Sequence, residues 1–453
     1  MKLSILGGGG FRTPFVYEAL LRDNGTPRVD DVALYDIDEG RLATMCAILD
    51  DLATDIPDAP RVTPTTNLPA AVRDSDFVFA ALRIGGLEGR RCDEHVALDL
   101  GVLGQETTGA GGLAYAIRTI PTMVTIAQTI KDLAPHAFVM NFTNPAGIIT
   151  EAMQSVLGER VLGICDTPSG LGRRATALLG LDSRRVQFDY VGLNHLGWLR
   201  HLIVDGQDVL PDLLADEPLL SQLEEGQIFG GDWIRSLGVI PNEYLYYYYY
   251  NRDAVRAIRS ASTTRGDFLA RSQSAFYERA AHESGPGVAQ LWRSTMERRG
   301  ASYMAEAKGK TQENPGTIDH EELDMEHEGY AGVALAVMAA ISRNERTTMI
   351  LNVRNHGTIT GLPDTAIVEV PTTVDANGVH PLTIEQPNLH QIGLMSQVKE
   401  VERTTIAAAL TGSRELAVKA FALHPLVDSV TIARGLVDGY CQAIPEVAAV
   451  LKA

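Results

Sequence analysis

The chain has 453 residues, 45% hydrophobic and 21% charged; this is a globular composition, too apolar for disorder and long enough for two domains or one elaborated one. A formal net charge of −18 excludes a general nucleic-acid binder, which needs clustered Lys and Arg, but leaves an anionic small molecule open if a few local arginines meet it. Cys46, Cys92, Cys165 and Cys441 form no CxxC pair or disulfide framework, and no apolar run suits a signal peptide or a membrane span. A reducing, cytoplasmic setting without a membrane partner is therefore expected.

In chain order, residues 3–6 read as a short buried strand, followed by four glycines and a helix over 14–21. Residues 32–35 read as a second strand ending at Asp36, with further strands at 77–80 and 138–141 and a crossover helix at 118–133. Short apolar strands alternating with helices predict an α/β fold whose N-terminal part is a Rossmann-type parallel sheet. Strands are expected at 161–164 (ending at Cys165), 188–193 (ending at Asn194 and His195), 349–353 and 366–370. Helices are expected at 254–261, 268–282 and 332–341. We divide the chain into a nucleotide-binding part, 1–165, and a mixed α+β substrate, metal and C-terminal part, 166–453.

Gly7, Gly8, Gly9 and Gly10 stand between a strand and a helix. There a tight turn brings backbone N–H groups and a helix N-terminus up to a pyrophosphate. Phe11 and Arg12 continue the loop, Arg12 standing where a third glycine is usual. Asp36 is placed to hydrogen-bond the adenosine ribose, which favours NAD over NADP. The bland alternatives are a structural glycine turn and a helix cap, the latter a role that Asp38 could fill.

Cys165 and His195 end strands, where a thiolate and an imidazole could share a divalent metal and leave room for substrate oxygens. Taken singly, each is more readily a core residue. Asp166 could act as an acid or base, or simply make a turn before Pro168. Asn144, in NFTNPAG, could hold a sugar hydroxyl or only shape a loop. Arg83, with Arg90, Arg91 and Arg118 beyond it, is a candidate for an anionic substrate group, although exposed arginine is usually just solvated. Tyr244 opens the string YLYYYYY as a candidate base; the tyrosines at 246–250 read as packing residues.

Together, ILGGGG, ALRIGG, GQETTGAGGLAYAIRTIP, NFTNPAG, GICDTP, GLNHLGW and IPNEYLYYYY resemble glycoside hydrolase family 4, the NAD-dependent exception among two-carboxylate glycosidases. The resemblance implies a fold like that of lactate and malate dehydrogenases. It also implies oxidation of the sugar at C3 by NAD, removal of the C2 proton, elimination of the aglycone, water addition and reduction of C3. Manganese would bridge the C2 and C3 oxygens. Carried onto this chain, Cys165 and His195 match the metal ligands, Tyr244 the C2 base, Asn144 a substrate contact and Asp166 the acid after the cysteine in α-acting members.

Arg83, by contrast, sits in an L-R-x-G segment typical of 6-phospho-β-glucosidases, so the two clues to the anomer disagree. Phospho-sugar members usually place Ser after the glycines, where this chain has Gly10-Phe11-Arg12. Arg12 keeps a C6 anion in view, either phosphate or, as in the related NAD-dependent sulfoquinovosidases, sulfonate. A homo-oligomer, dimer or tetramer, is implied as well. Two rivals remain at this point: a 2-hydroxy-acid dehydrogenase, since Asp166 and His195 have about that family's Asp–His separation, and a non-catalytic NAD sensor.

Overall fold

The structure is a computed structural model that describes residues 1–283, 286–309, 312 and 329–452. Among the described residues its framework is one continuous sheet of thirteen strands. Six are β1 (Lys2–Leu6), β2 (Asp31–Tyr35), β3 (Arg61–Thr65), β4 (Phe77–Ala80), β5 (Phe138–Asn141) and β6 (Val161–Gly163). They run parallel in the order β3-β2-β1-β4-β5-β6. This is the doubly wound order in which ligands bind outside the carboxyl ends of the strands.

The remainder are β7 (Val186–Leu193), β8 (Leu196–Val204), β9 (Gln207–Asp208), β10 (Ile240–Pro241), β11 (Thr347–Arg354), β12 (Ile367–Asp375) and β13 (Gly378–Pro381). The sheet passes from β6 through β11 and β12 to β7, β8 and β10, all antiparallel. β13 pairs with β12, and β9 with β8.

Apart from the edge strand β3, the parallel strands are largely apolar because helices cover both faces. Leu3, Ile5, Phe77, Phe79, Met140 and Leu162 face one core, while Leu6, Val78, Ala80, Val139 and Val161 face the other. The second core is closed by the helix Ala110–Leu133 and by helices of the C-terminal region, Leu389–Thr411, Arg414–Leu423 and Val430–Ala443. The helices Thr13–Arg22, Glu39–Leu52 and Tyr330–Arg343 lie on the first.

The expected crossover helix begins eight residues earlier than its apolar pattern, at Ala110, because the run through Gly111 and Gly112 is itself buried helix. β3 was not foreseen: RVTPT is polar, and its Pro64 is tolerated because β3 is the edge of the sheet. No described helix is long and apolar enough to cross a membrane.

Candidate active site

β1 ends in a turn that only glycine suits at its first position. Gly7 has φ +87, and a Cβ there would lie 2.5 Å from the Ala81 carbonyl oxygen. The turn is tied to β2 by Gly7 N–H and Gly8 N–H, which both donate to Tyr35 O (2.9 and 2.8 Å). Asp36 accepts from Gly9 N–H at 3.0 Å, so the acid and the glycine loop meet. Asp38, not Asp36, caps the following helix, accepting from Arg41 N–H at 3.0 Å.

Phe11 is buried against Phe276 and Tyr277 and offers no hydrogen bond from its side chain. Arg12 precedes the helix Thr13–Arg22, and its guanidinium lies over the rings of Phe142 (4.2 Å) and Tyr330 (4.6 Å). The glycine cradle, the helix behind it and Asp36 together fit a dinucleotide.

A cavity of about 510 Å³ opens at the carboxyl ends of the parallel strands, lined by Arg12, Asn144, Cys165, Asp166, His195 and Tyr244 among others. Asn144 follows β5, in a cis peptide bond to Pro145. Cys165 and Asp166 follow β6; Cys165 is a buried free thiol and Asp166 precedes the helix Thr167–Leu178. His195 lies in the two-residue turn between β7 and β8 with φ +63. Its Nδ1 is 3.0 Å from Thr107 Oγ1, and its ring stacks on Tyr244 with centroids 3.7 Å apart and planes 4° apart.

Burial brings the His195 imidazole down to about 4, so it is neutral at neutral pH, as a metal ligand must be. Among the described residues Nε2 makes no hydrogen bond. No group of three or more His, Cys, Asp or Glu side chains among the described residues is placed to hold a metal there. A soft sulfur and a neutral imidazole facing one polar cavity fit a divalent transition metal whose remaining positions are filled by substrate or water.

Tyr244 belongs to the short 3-10 turn Glu243–Leu245. Burial and the neighbouring Glu243 push its phenol well above the usual range, while a hydrogen bond with Tyr303 works the other way. Tyr303 in turn donates to Glu243 Oε1 (3.1 Å), which also accepts from Thr167 Oγ1 (3.0 Å).

Seven arginines fall into three groups, and Arg173 and Arg174 line the cavity as well. Arg118 makes a bidentate ion pair with Asp93 (2.7 Å twice) in the core, and Arg91 pairs with Asp267 and Glu88 at the surface. Neither lines the cavity. Arg83 does not line it either; its Nη2 is 2.6 Å from Glu106, and Glu106, which does line the cavity, also takes Arg90 at 2.6 Å. Against the effect of burial, Arg90, Arg83 and Arg299 hold the Glu106 carboxyl below the usual carboxylate range.

The third group is Arg12 with Arg265 and Arg299, all cavity residues. Burial and the neighbouring Arg12 and Arg265 bring Arg299 down to about 9, and burial and Arg90 lower Arg265. Guanidinium groups stay protonated at neutral pH; burial is the larger cause of both depressions and the mutual repulsion of the arginines the next, with Glu106 working the other way. Sequence reasoning missed Arg265 and Arg299, which sit in unremarkable helical stretches. It also missed Glu243, although that residue directly precedes Tyr244.

Two family models match this chain: "Family 4 glycosyl hydrolase" over residues 2–181 and "Family 4 glycosyl hydrolase C-terminal domain" over residues 190–427. The chain belongs to the family 4 glycosyl hydrolases. It is similar to a maltose-6'-phosphate glucosidase of Fusobacterium mortiferum, 30% identical over 100% of this chain and 99% of that one. It is also similar to a probable 6-phospho-beta-glucosidase of Bacillus subtilis, 29% identical over 98% and 96%.

Among solved structures, the 6-phospho-beta glucosidase of Thermotoga maritima with manganese, NAD+ and glucose-6-phosphate superposes with a TM-score of 0.82 at 28% identity, covering 99% of each chain. A malate dehydrogenase from Plasmodium falciparum superposes with a TM-score of 0.51 at 14% identity over 91% of this chain and 99% of its own. That likeness is one of fold alone. It accounts for the dehydrogenase-like pattern of the sequence without making the chain a hydroxy-acid dehydrogenase.

Proposed function

We propose that this chain is an NAD- and manganese-dependent glycosidase for glucosides carrying an anionic group at C6, of the 6-phosphate type. The observation that carries the proposal is the convergence on one cavity of Cys165, His195 and Tyr244 with the guanidinium groups of Arg12, Arg265 and Arg299, beside a dinucleotide cradle.

In this reading Gly7 to Gly10, Phe11 and Arg12 present the loop to the cofactor, and Asp36 takes the ribose. Cys165 and His195 hold the metal. When bound, NAD supplies transient oxidation at C3 and manganese polarises the C2 and C3 oxygens. Tyr244 would take the C2 proton as phenolate, its phenol brought down by the cation held beside it; Tyr303 holds its hydroxyl, and Glu243 accepts from Tyr303. Asp166 serves as acid or base toward the leaving oxygen, and Asn144 holds a sugar hydroxyl. Arg83 acts through Glu106. Residues 1–165 are the nucleotide half and 166–453 the substrate half of a cytoplasmic homo-oligomer.

A C6 sulfonate is the second reading. It is favoured because Phe11 offers no hydroxyl and Arg12 supplies a cation in the same loop. The test is aglycone release, with NAD and manganese, from 4-nitrophenyl 6-phospho-β-glucoside, its α-anomer and 4-nitrophenyl sulfoquinovoside. Release from a phosphoglucoside alone is expected. Release from the sulfoquinovoside alone would replace phosphate by sulfonate, and release from none would remove the glycosidase assignment.

A further inference from the structure

Cys165 follows β6 and His195 follows β7, strands that are not neighbours: β11 and β12 lie between them. Something must set the span across those two strands, and one row of the sheet does so. Gly163 on β6 pairs with Asn352 on β11, Asn352 with Glu369 on β12, and Glu369 with Gly192 on β7. The row meets β6 two residues before Cys165 and β7 three residues before His195.

The outer positions of the row are glycines in close quarters. A Cβ on Gly163 would lie 2.7 Å from the Asn352 Cβ, and one on Gly192 would lie 2.5 Å from Gly197 Cα. The two inner side chains meet: Asn352 Nδ2 donates to Glu369 Oε1 at 2.7 Å. Tyr190 donates to Glu369 Oε2 at 3.3 Å, and Asn194, the residue before His195, donates through Nδ2 to Oε1 at 3.4 Å.

Glu369 has 0% of its surface exposed. Among the described residues it has no cationic partner, only these three neutral donors. Burial pushes its carboxyl up to about 7 against the hydrogen bonds from Asn352, Asn194 and Tyr190, and an acidic side chain kept there without a cation works against stability. Its position gives it something to do. Its hydrogen bond from Asn194 reaches the His195 turn, and its row of the sheet reaches the strand before Cys165.

We propose that Glu369 is the positioning residue of the metal site: with Asn352 it fixes the span between Cys165 and His195, and its carboxylate sets negative charge behind the cation they hold. This rests on the reading of Cys165 and His195 as metal ligands. Outer partners of this kind typically change metal affinity by about 10- to 100-fold when they are replaced.

The experiment uses the full chain stripped of metal and loaded with NAD. Mn2+ binding is followed by the electron paramagnetic resonance of the free ion, alongside NAD affinity and thermal unfolding. Glu369→Gln keeps the shape and removes the charge. It is expected to weaken Mn2+ binding about 10-fold or more, leave NAD affinity unchanged, and leave the metal-free melting temperature equal or higher. A merely structural residue would not separate these readouts. Wild-type Mn2+ affinity in Glu369→Gln overturns the inference.

Should Glu369→Gln fail to fold, Asn352→Leu removes the 2.7 Å donor and is judged by the same readouts. Cys165→Ser serves as the control. If it weakens Mn2+ binding while Glu369→Gln does not, only the positioning role falls. If it too binds Mn2+ normally, the metal assignment of Cys165 falls and takes the positioning role with it.

Discussion

Tyr244 and His195 come from different elements and meet ring on ring at 3.7 Å, so one side chain helps to fix the other. Tyr244→Phe keeps that stack and removes only the hydroxyl. We expect turnover to drop by about 10²- to 10⁴-fold, the usual contribution of a placed base, while NAD affinity holds. Steady-state kinetics beside an NAD titration check this, and full activity in the variant would remove Tyr244 as the base. At this scale the sequence was informative wherever a residue stood at a strand end. Cys165, Asp166, Asn144 and His195 could be singled out because strand ends of a doubly wound sheet converge. Arg265 and Arg299 could not, since nothing local in a helical stretch says which arginine will be turned toward a cavity. Arg118, weighed beside Arg83 as an anion contact, is spent in the core on Asp93.

Among elements, the helix Arg265–Ala280 matters because Arg265 stands at its start, and its first turn is pinned. Thr264 and Asp267 form a capping box, Gly266 N–H donates to Glu94 Oε2 at 2.7 Å, and Asp267 takes Arg91 (2.7 Å) and His95 (3.0 Å). Burial opposes ionisation of Asp267, but Arg91 and His95 prevail and bring its carboxyl down to about 2. An Asp with a depressed folded pKa stabilises the fold above its unfolded value near 4, and that stability is lost as pH falls through the folded value. With its partners partly exposed, the contribution is discounted to about 1 kcal/mol. Asp267→Asn should therefore be less stable by that amount at pH 7, with the gap closing between pH 4 and pH 2. Urea midpoints across that range check it, and a gap that persists at pH 2 would show that the charge is not its source. The strands of the parallel half were legible because they are apolar on both faces. β3 was not, because an edge strand may be polar and may carry Pro64.

For the whole molecule, the sequence suggested a division near residue 165, whereas the structure runs one sheet from β3 to β10. Hydrogen bonding from β6 to β11 joins residues nearly two hundred positions apart, a pairing that local pattern cannot announce. The continuity makes coupled unfolding the expected behaviour. NAD at about 100 times its Kd should stabilise the chain by about 2.7 kcal/mol, and the shift should fall on a single calorimetric transition that carries both halves. Two transitions of which only one moves with NAD would show that the halves unfold separately.

The guanidinium cluster of the cavity belongs to a protein of net charge −18. An anionic sugar therefore travels through a repulsive far field before it reaches an attractive mouth. The two act over different ranges: salt at physiological strength screens charges beyond about 8 Å but leaves partly buried cations much less affected. Moderate salt thus weakens the repulsion more than the capture. Association of such a substrate should quicken as salt is first added, the reverse of what a positively charged approach would give.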